Sequence, residues 1–174
     1  MVIQVTELSS YETDTLLRGL SCEELQNVRE AFHAEKANID GGKPAWALAR
    51  NDRMYYVARL QNDPYLLVGI HPNPLPSSPH IVNISSVARV ASAPKGKAAD
   101  CLRTIIQEKL VPFCKHNGKT LIVARIHTER GLKAFRALQS VRPGGISSVK
   151  IEVTRPDWSC TLSVDVQQEQ VDEL

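Results

Sequence analysis

Apolar residues along the chain recur with two different periods, and the changes of period mark its elements. Val2 to Leu8 alternates Val2, Gln4 and Thr6 with Ile3, Val5 and Glu7, a period of two that predicts a strand. Ser10 to Leu20 places Leu16, Leu17 and Leu20 at helical spacing. Ser21-Cys22-Glu23-Glu24 then reads as a capping box ahead of Leu25, Val28 and Phe32, which predicts a second helix. Asp40-Gly41-Gly42 and Pro44 break it.

Arg53 to Leu60 is rich in aromatic and β-branched residues, Asn62-Asp63-Pro64 reads as a turn, and Tyr65 to Ile70 follows, so a β-hairpin is expected. His71 to His80 has four prolines in ten residues and reads as a loop, and Ile81 to Ala91 as a third long strand. The period then changes: Ala98, Leu102, Ile105, Ile106 and Leu110 form one helical stripe that ends near Pro112 or at Asn117-Gly118. Thr120 to Ile126 is an apolar run typical of a buried central strand. Thr128 is placed to cap a helix carrying Leu132, Phe135 and Leu138, which stops before Pro143-Gly144-Gly145. Ser148 to Thr154 and Ser159 to Val166 read as two strands joined around Pro156-Asp157, and the acidic tail from Gln167 as frayed. The order β-α-α-β-β-β-α-β-α-β-β implies an α+β domain: a mixed, mostly antiparallel sheet with a central βα unit and helices on its faces.

Composition narrows the classes. The 174 residues correspond to one domain, and 43% hydrophobic with 23% charged residues is ordinary for a globular chain. The longest apolar stretches, such as Leu66 to Ile70, fall far short of the roughly 20 residues of a membrane span. No secretory signal is read at the N-terminus. Cys22, Cys101, Cys114 and Cys160 show no C-x-x-C spacing, so neither a zinc knuckle nor a redox pair is expected, and a cytoplasmic location is the default. The net charge of +2 conceals a division: Arg89 to Lys150 holds 13 Lys/Arg against 3 Asp/Glu, whereas the flanking segments are acidic. Such a block suits an anionic partner, either nucleic acid or a phosphorylated cofactor. Its only aromatics, Phe113 and Phe135, fall on apolar faces, which disfavours base stacking and hence single-strand nucleic-acid binding.

With Lys95-Gly96-Lys97-Ala98 between the third long strand and the longest helix, the chain resembles the GCN5-related N-acetyltransferase superfamily. The resemblance is architectural over nearly the whole chain, and its motif content lies in Ser86 to Val141. It implies that acetyl-coenzyme A, or another acyl-coenzyme A, binds at an Arg/Gln-x-x-Gly-x-Gly/Ala bend whose main-chain N–H groups hold the pyrophosphate at a helix start. Gly96 and Ala98 take the last two motif positions, which leaves Ala93 where Arg or Gln is expected. The alternative register gives Lys95 the basic position and Asp100 the last. In either, Lys95 and Lys97 flank the bend, and the backbone near Val90 and Ser92 pairs with the pantetheine arm. Thr128 stands at the family's Asn position. Phe135 stands where the family has a Tyr that protonates the departing thiolate, and phenylalanine has no proton to give.

The acceptor region implied by the resemblance is net acidic here, which suits an amine: a polyamine, a lysine side chain, an aminoglycoside or a protein N-terminus. Attack by an amine requires loss of a proton, so a carboxylate or histidine base is sought. Glu35, three residues beyond Phe32, is one candidate, and His127, at the end of the buried strand, is the other. Ser85 and Ser86 on the third long strand are placed to orient a substrate. His71 and His80 lack the third ligand or helical pairing of a zinc site, so no metal is expected. The expected activity is therefore N-acyl transfer to a small-molecule or protein amine, with a homodimer possible and no membrane partner. Two alternatives remain open: a catalytically silent acyl-coenzyme A-binding or interaction module, and a nucleic-acid-binding or modifying protein using the basic block.

Overall fold

The computed structural model describes residues 2–21, 39–40, 43–44 and 52–165. The second helix expected after Ser21, Glu35, and the tail from Gln167 lie outside the described residues. In chain order the elements are β1 (Ile3–Leu8), α1 (Ser10–Arg18), a short ribbon of β2 (Ile39–Asp40) and β3 (Lys43–Pro44), β4 (Met54–Leu60), β5 (Asp63–His71) and β6 (Ile81–Arg89). Then come α2 (Ala98–Ile105), a π-helical turn (Ile106–Leu110) leading into α3 (Val111–His116), β7 (Leu121–Ile126), α4 (Glu129–Ser140), β8 (Ile146–Thr154) and β9 (Asp157–Val164). Seven strands form one sheet in the order β1-β4-β5-β6-β7-β9-β8. All neighbours are antiparallel except β6 and β7, which run parallel because α2, the π turn and α3 carry the chain between them. This is the α+β, mostly antiparallel architecture that the element order implies.

Alternation along the central strands gives the sheet two buried faces. One face, with Tyr56, Val68, Val82, Ile84, Ile122 and Leu162, packs on Leu102, Ile105, Ile106, Leu110 and Leu138 of the α2–α4 layer. The other, with Tyr55, Val57, Leu67 and Ala88, packs on Leu17 of α1. Each fully covered Leu or Ile contributes about 1.5–3 kcal/mol relative to exposure.

Two boundaries differ from the sequence reading for identifiable reasons. The β4–β5 turn is Gln61-Asn62, with φ of 50° and 69°, and Leu60 pairs directly with Asp63. This type I′ loop requires positive φ at both central positions, which Asn tolerates and Pro64 cannot adopt, so Pro64 falls inside β5. Pro112 does not end the long helix. Its ring would collide with the carbonyl four residues earlier in a regular α-helix, and here the preceding turn is widened, Val111 N–H bonding Ile106 O, five residues back. The helix runs on to His116 and stops at Asn117-Gly118, where Gly118 has φ +66° and Lys119 N–H bonds Cys114 O at 2.8 Å. Lys119 then turns inward, its Nζ donating to Asn73 Oδ1 at 2.7 Å and Pro79 O at 2.6 Å, and so pins the proline-rich loop.

Candidate functional site

A bulge opens the sheet at its centre. Gly69 of β5 pairs with Ser86 but Ile70 pairs with Ile84, so Ser85 is an extra residue on β6, and the strand bends there. On its other side β6 stays in register with β7 only from Ile81↔Leu121 to Ile84↔Ala124. Beyond that point the strands diverge around a cleft of about 410 Å³, mouth included, which α4 helps to line. Its two sides differ in chemistry. Ile84, Val87, Ala124, Ile126 and Phe135 belong to the core beneath α2 and α4, so that wall is apolar. Arg125 and His127 alternate with Ala124 and Ile126, and Ser86 alternates with Val87, which turns these polar side chains to the opposite face of the sheet.

His127 follows β7 directly, and its Nδ1 lies 3.1 Å from Asp157 Oδ2. Asp157 begins β9, and the Ile126↔Trp158 pair brings the two together. Arg125 Nε reaches the same carboxylate oxygen at 3.3 Å. The carboxylate is largely covered, its side chain 15% exposed against 64% for Arg125. With Nδ1 donating to Asp157, Nε2 is the ring nitrogen left to meet a substrate. Asp157 is the residue that sequence reasoning missed: it was read as part of a turn, and nothing local announces a contact made across two strands.

The bend before α2 is open. Gly96 has φ +80°, and a Cβ built there would meet nothing within 4 Å. Lys97 begins the helix without a side-chain cap bond, so no side chain takes up the N–H groups of the first turn through Lys97. Tyr65 Oη donates to Pro94 O at 2.5 Å and ties the start of the bend to β5. Lys95 is exposed and Lys97 partly so. Asp100 in the first turn is paired with Arg103 at 2.8 Å.

The other residues singled out in the sequence have separate fates. Val90 N–H donates to Tyr65 O at 2.8 Å, so that donor is already used within the sheet and cannot pair with an added chain. The same ladder alternation turns the N–H and C=O groups of Val87 and Arg89 toward the cleft instead. Ser92 is exposed beside the bend. Thr128 caps α4, its Oγ1 accepting from Gly131 N–H at 3.0 Å. Phe135 is 4% exposed and forms part of the apolar wall. His71 and His80 lie at the opposite end of β5 and β6, outside the cleft. Among the described residues no group of three or more His, Cys, Asp or Glu is placed to hold a metal ion. Burial pushes the Cys101 and Cys114 thiols up to about 11 and that of Cys160 to about 12, which keeps them protonated and unreactive at neutral pH.

The overall fold recurs in solved structures. The acyl-homoserine lactone synthase LasI superposes with a TM-score of 0.58 at 14% identity, covering 93% of this chain and 89% of that one. An N-acetyltransferase from Staphylococcus aureus Mu50 superposes with a TM-score of 0.55 at 13% identity, covering 96% of this chain and 100% of that one. The fold is that of the GCN5-related N-acetyltransferases. A third example, yncA of Salmonella typhimurium, described as a putative acetyltransferase with its cofactor acetyl-CoA, superposes with a TM-score of 0.53 at 11% identity, covering 98% and 97% of the two chains. No family model matches the sequence, and no curated protein matches it. Within the GCN5-related fold this chain is therefore a divergent example. No helix among the described residues is long and apolar enough to cross a membrane.

Proposed function

We propose that the protein is an acyl-coenzyme A-dependent N-acyltransferase in which a bound amine attacks the thioester directly. The observation that carries this reading is the cleft where β6 and β7 part, together with the open bend at Gly96 that follows β6 in the chain. The residues present fit such a ligand. A bend with no side chain over Gly96, an uncapped helix start and flanking lysines suit a pyrophosphate, which needs main-chain amides and positive potential. Lys95, Gly96, Lys97 and Ala98 would hold it. The main-chain groups of Val87 and Arg89, with Ser92 near the mouth, would line the pantetheine arm, in place of the expected pairing at Val90. When bound, acyl-coenzyme A supplies an acyl thioester, a group open to attack by an uncharged amine.

His127 is the base. Its Nε2, the ring nitrogen not engaged by Asp157, accepts the proton that the amine must lose, while Asp157 holds the ring. Of the two bases read from the sequence, His127 stands in the cleft and Glu35 lies outside the described residues. Phe135 supplies no acid, so the leaving thiolate departs unassisted or takes a proton from water; one general acid is worth roughly 10²–10⁴-fold, less than the roughly 7–11 kcal/mol available from orientation. Phe135 also favours a second reading, an acyl-coenzyme A-binding module without turnover. Titration calorimetry with acetyl-coenzyme A tests both: micromolar binding is expected, and an absence of heat together with an unmoved melting temperature would remove both. Turnover over a panel of primary amines then separates them.

A further inference from the structure

Ser86 is 5% exposed, and its Oγ is fully covered without a hydrogen-bond partner. Leaving a buried hydroxyl unpaired costs about 1–3 kcal/mol, and packing does not require one here. The facing residue on β5 is Gly69, where a Cβ would lie 2.4 Å from the Ser86 Oγ. The Ser86 hydroxyl thus occupies the space that a side chain at this position of β5 would fill. Ser86 also lines the cleft just past the last β6–β7 pair, Ile84↔Ala124, at the closed end where the strands part.

We propose that the Ser86 hydroxyl donates a hydrogen bond to the carbonyl oxygen of the acyl thioester. This rests on the acyl-coenzyme A reading above. From the bend at Gly96, an arm laid along β6 passes Arg89 and Val87 and brings its reactive end to Ser86. The one hydrogen-bonding atom of a simple acyl group is its carbonyl oxygen, which only accepts, so the hydroxyl must donate. As the amine adds, charge collects on that oxygen and a donor already in place stabilises it more than it stabilises the thioester. The proton stays on Oγ throughout, and no bond to Ser86 forms or breaks.

The test uses acetyl-coenzyme A labelled with ¹³C at the carbonyl, bound to the full chain and observed by difference infrared spectroscopy. In the Ser86→Ala complex the labelled carbonyl stretch moves to higher frequency than in the wild type. The calorimetric preference for acetyl-coenzyme A over free coenzyme A falls about 3–10-fold, the worth of one net hydrogen bond. The melting temperature does not fall, because an unpaired buried hydroxyl has been removed. A carbonyl band at the same frequency in both complexes overturns the assignment and leaves the acyltransferase reading intact, whereas a wild type that binds no acetyl-coenzyme A defeats both. Should Ser86→Ala fail to fold, Ser86→Cys, whose thiol is a weak donor, carries the same spectroscopic expectation.

Discussion

Gly69 and Ser86 form a matched pair at the residue scale. Gly69→Ala drives a methyl group into the Ser86 hydroxyl, with Ser85 Oγ and Tyr55 Cε1 each 3.2 Å away. The expected cost is about 1–3 kcal/mol of overpacking, readable as a lower urea midpoint. Adding Ser86→Ala should return part of it, so the double-mutant cycle yields a coupling energy rather than a sum. His127→Ala should lower kcat/KM for the amine by about 10²–10⁴-fold with little change in acetyl-coenzyme A affinity. Asp157→Asn should lower kcat while preserving that affinity, and equal kinetics for wild type and Asp157→Asn would remove the carboxylate from the mechanism. The place of His127 at the end of β7 was legible in the sequence because it closes an apolar strand run. Asp157 was not, because its significance arises from pairing residues thirty positions away. The engagement of the Val90 N–H by Tyr65 O was not legible for a related reason: which strand edge an N–H faces depends on the register with β5, and hydrophobic alternation reports side-chain faces only.

Elements were legible wherever their signal is local, as in the capped start of α4 at Thr128 and the alternation of β6. The end of the long helix was ambiguous because proline is judged by a regular α-helix, and the π turn changes the carbonyl it would strike. The basic block also looks different once its residues are placed. Arg103 of α2 donates to Val141 O at 2.8 Å and Ala137 O at 3.3 Å, the last carbonyls of α4. Lys119 anchors the proline-rich loop, Arg142 bonds Ser147 O and Arg125 is held by Asp157. Four of the block's thirteen basic side chains are therefore engaged within the fold itself. Arg103→Ala should cost about 1.5–3 kcal/mol and loosen α4 against α2, which chemical denaturation would measure. Gly96→Val has a different signature. A β-branched residue at φ +80° is strained, so acetyl-coenzyme A affinity should drop at least tenfold while the core, which this loop does not enter, keeps most of its stability.

Across the whole molecule, burial makes stability depend on alkaline pH. Burial pushes the thiols of Cys101 and Cys114 up to about 11, and Cys160 and the Tyr56 hydroxyl to about 12. Between about pH 8.5 and pH 11 the unfolded chain loses thiol protons that the folded chain retains, so unfolding is favoured as pH rises, and these groups leave stability undiminished below about pH 8. The urea midpoint should decline from pH 8.5 to 10.5, and Cys→Ala at position 160 should flatten that decline. The same covering should protect the three described thiols from a disulfide reagent at pH 8 until denaturant is added. The seven-stranded sheet is also unequally joined. Among the described residues, the two halves β1-β4-β5-β6 and β7-β9-β8 pair along a seam of only four residue pairs, from Ile81↔Leu121 to Ile84↔Ala124, extended by the Thr120 and Leu121 N–H groups donating to His80 O. A molecule lodged in the gap above that seam would supply missing rungs to the ladder, so its arrival should slow amide exchange in β6 and β7, the strands flanking the gap on either side.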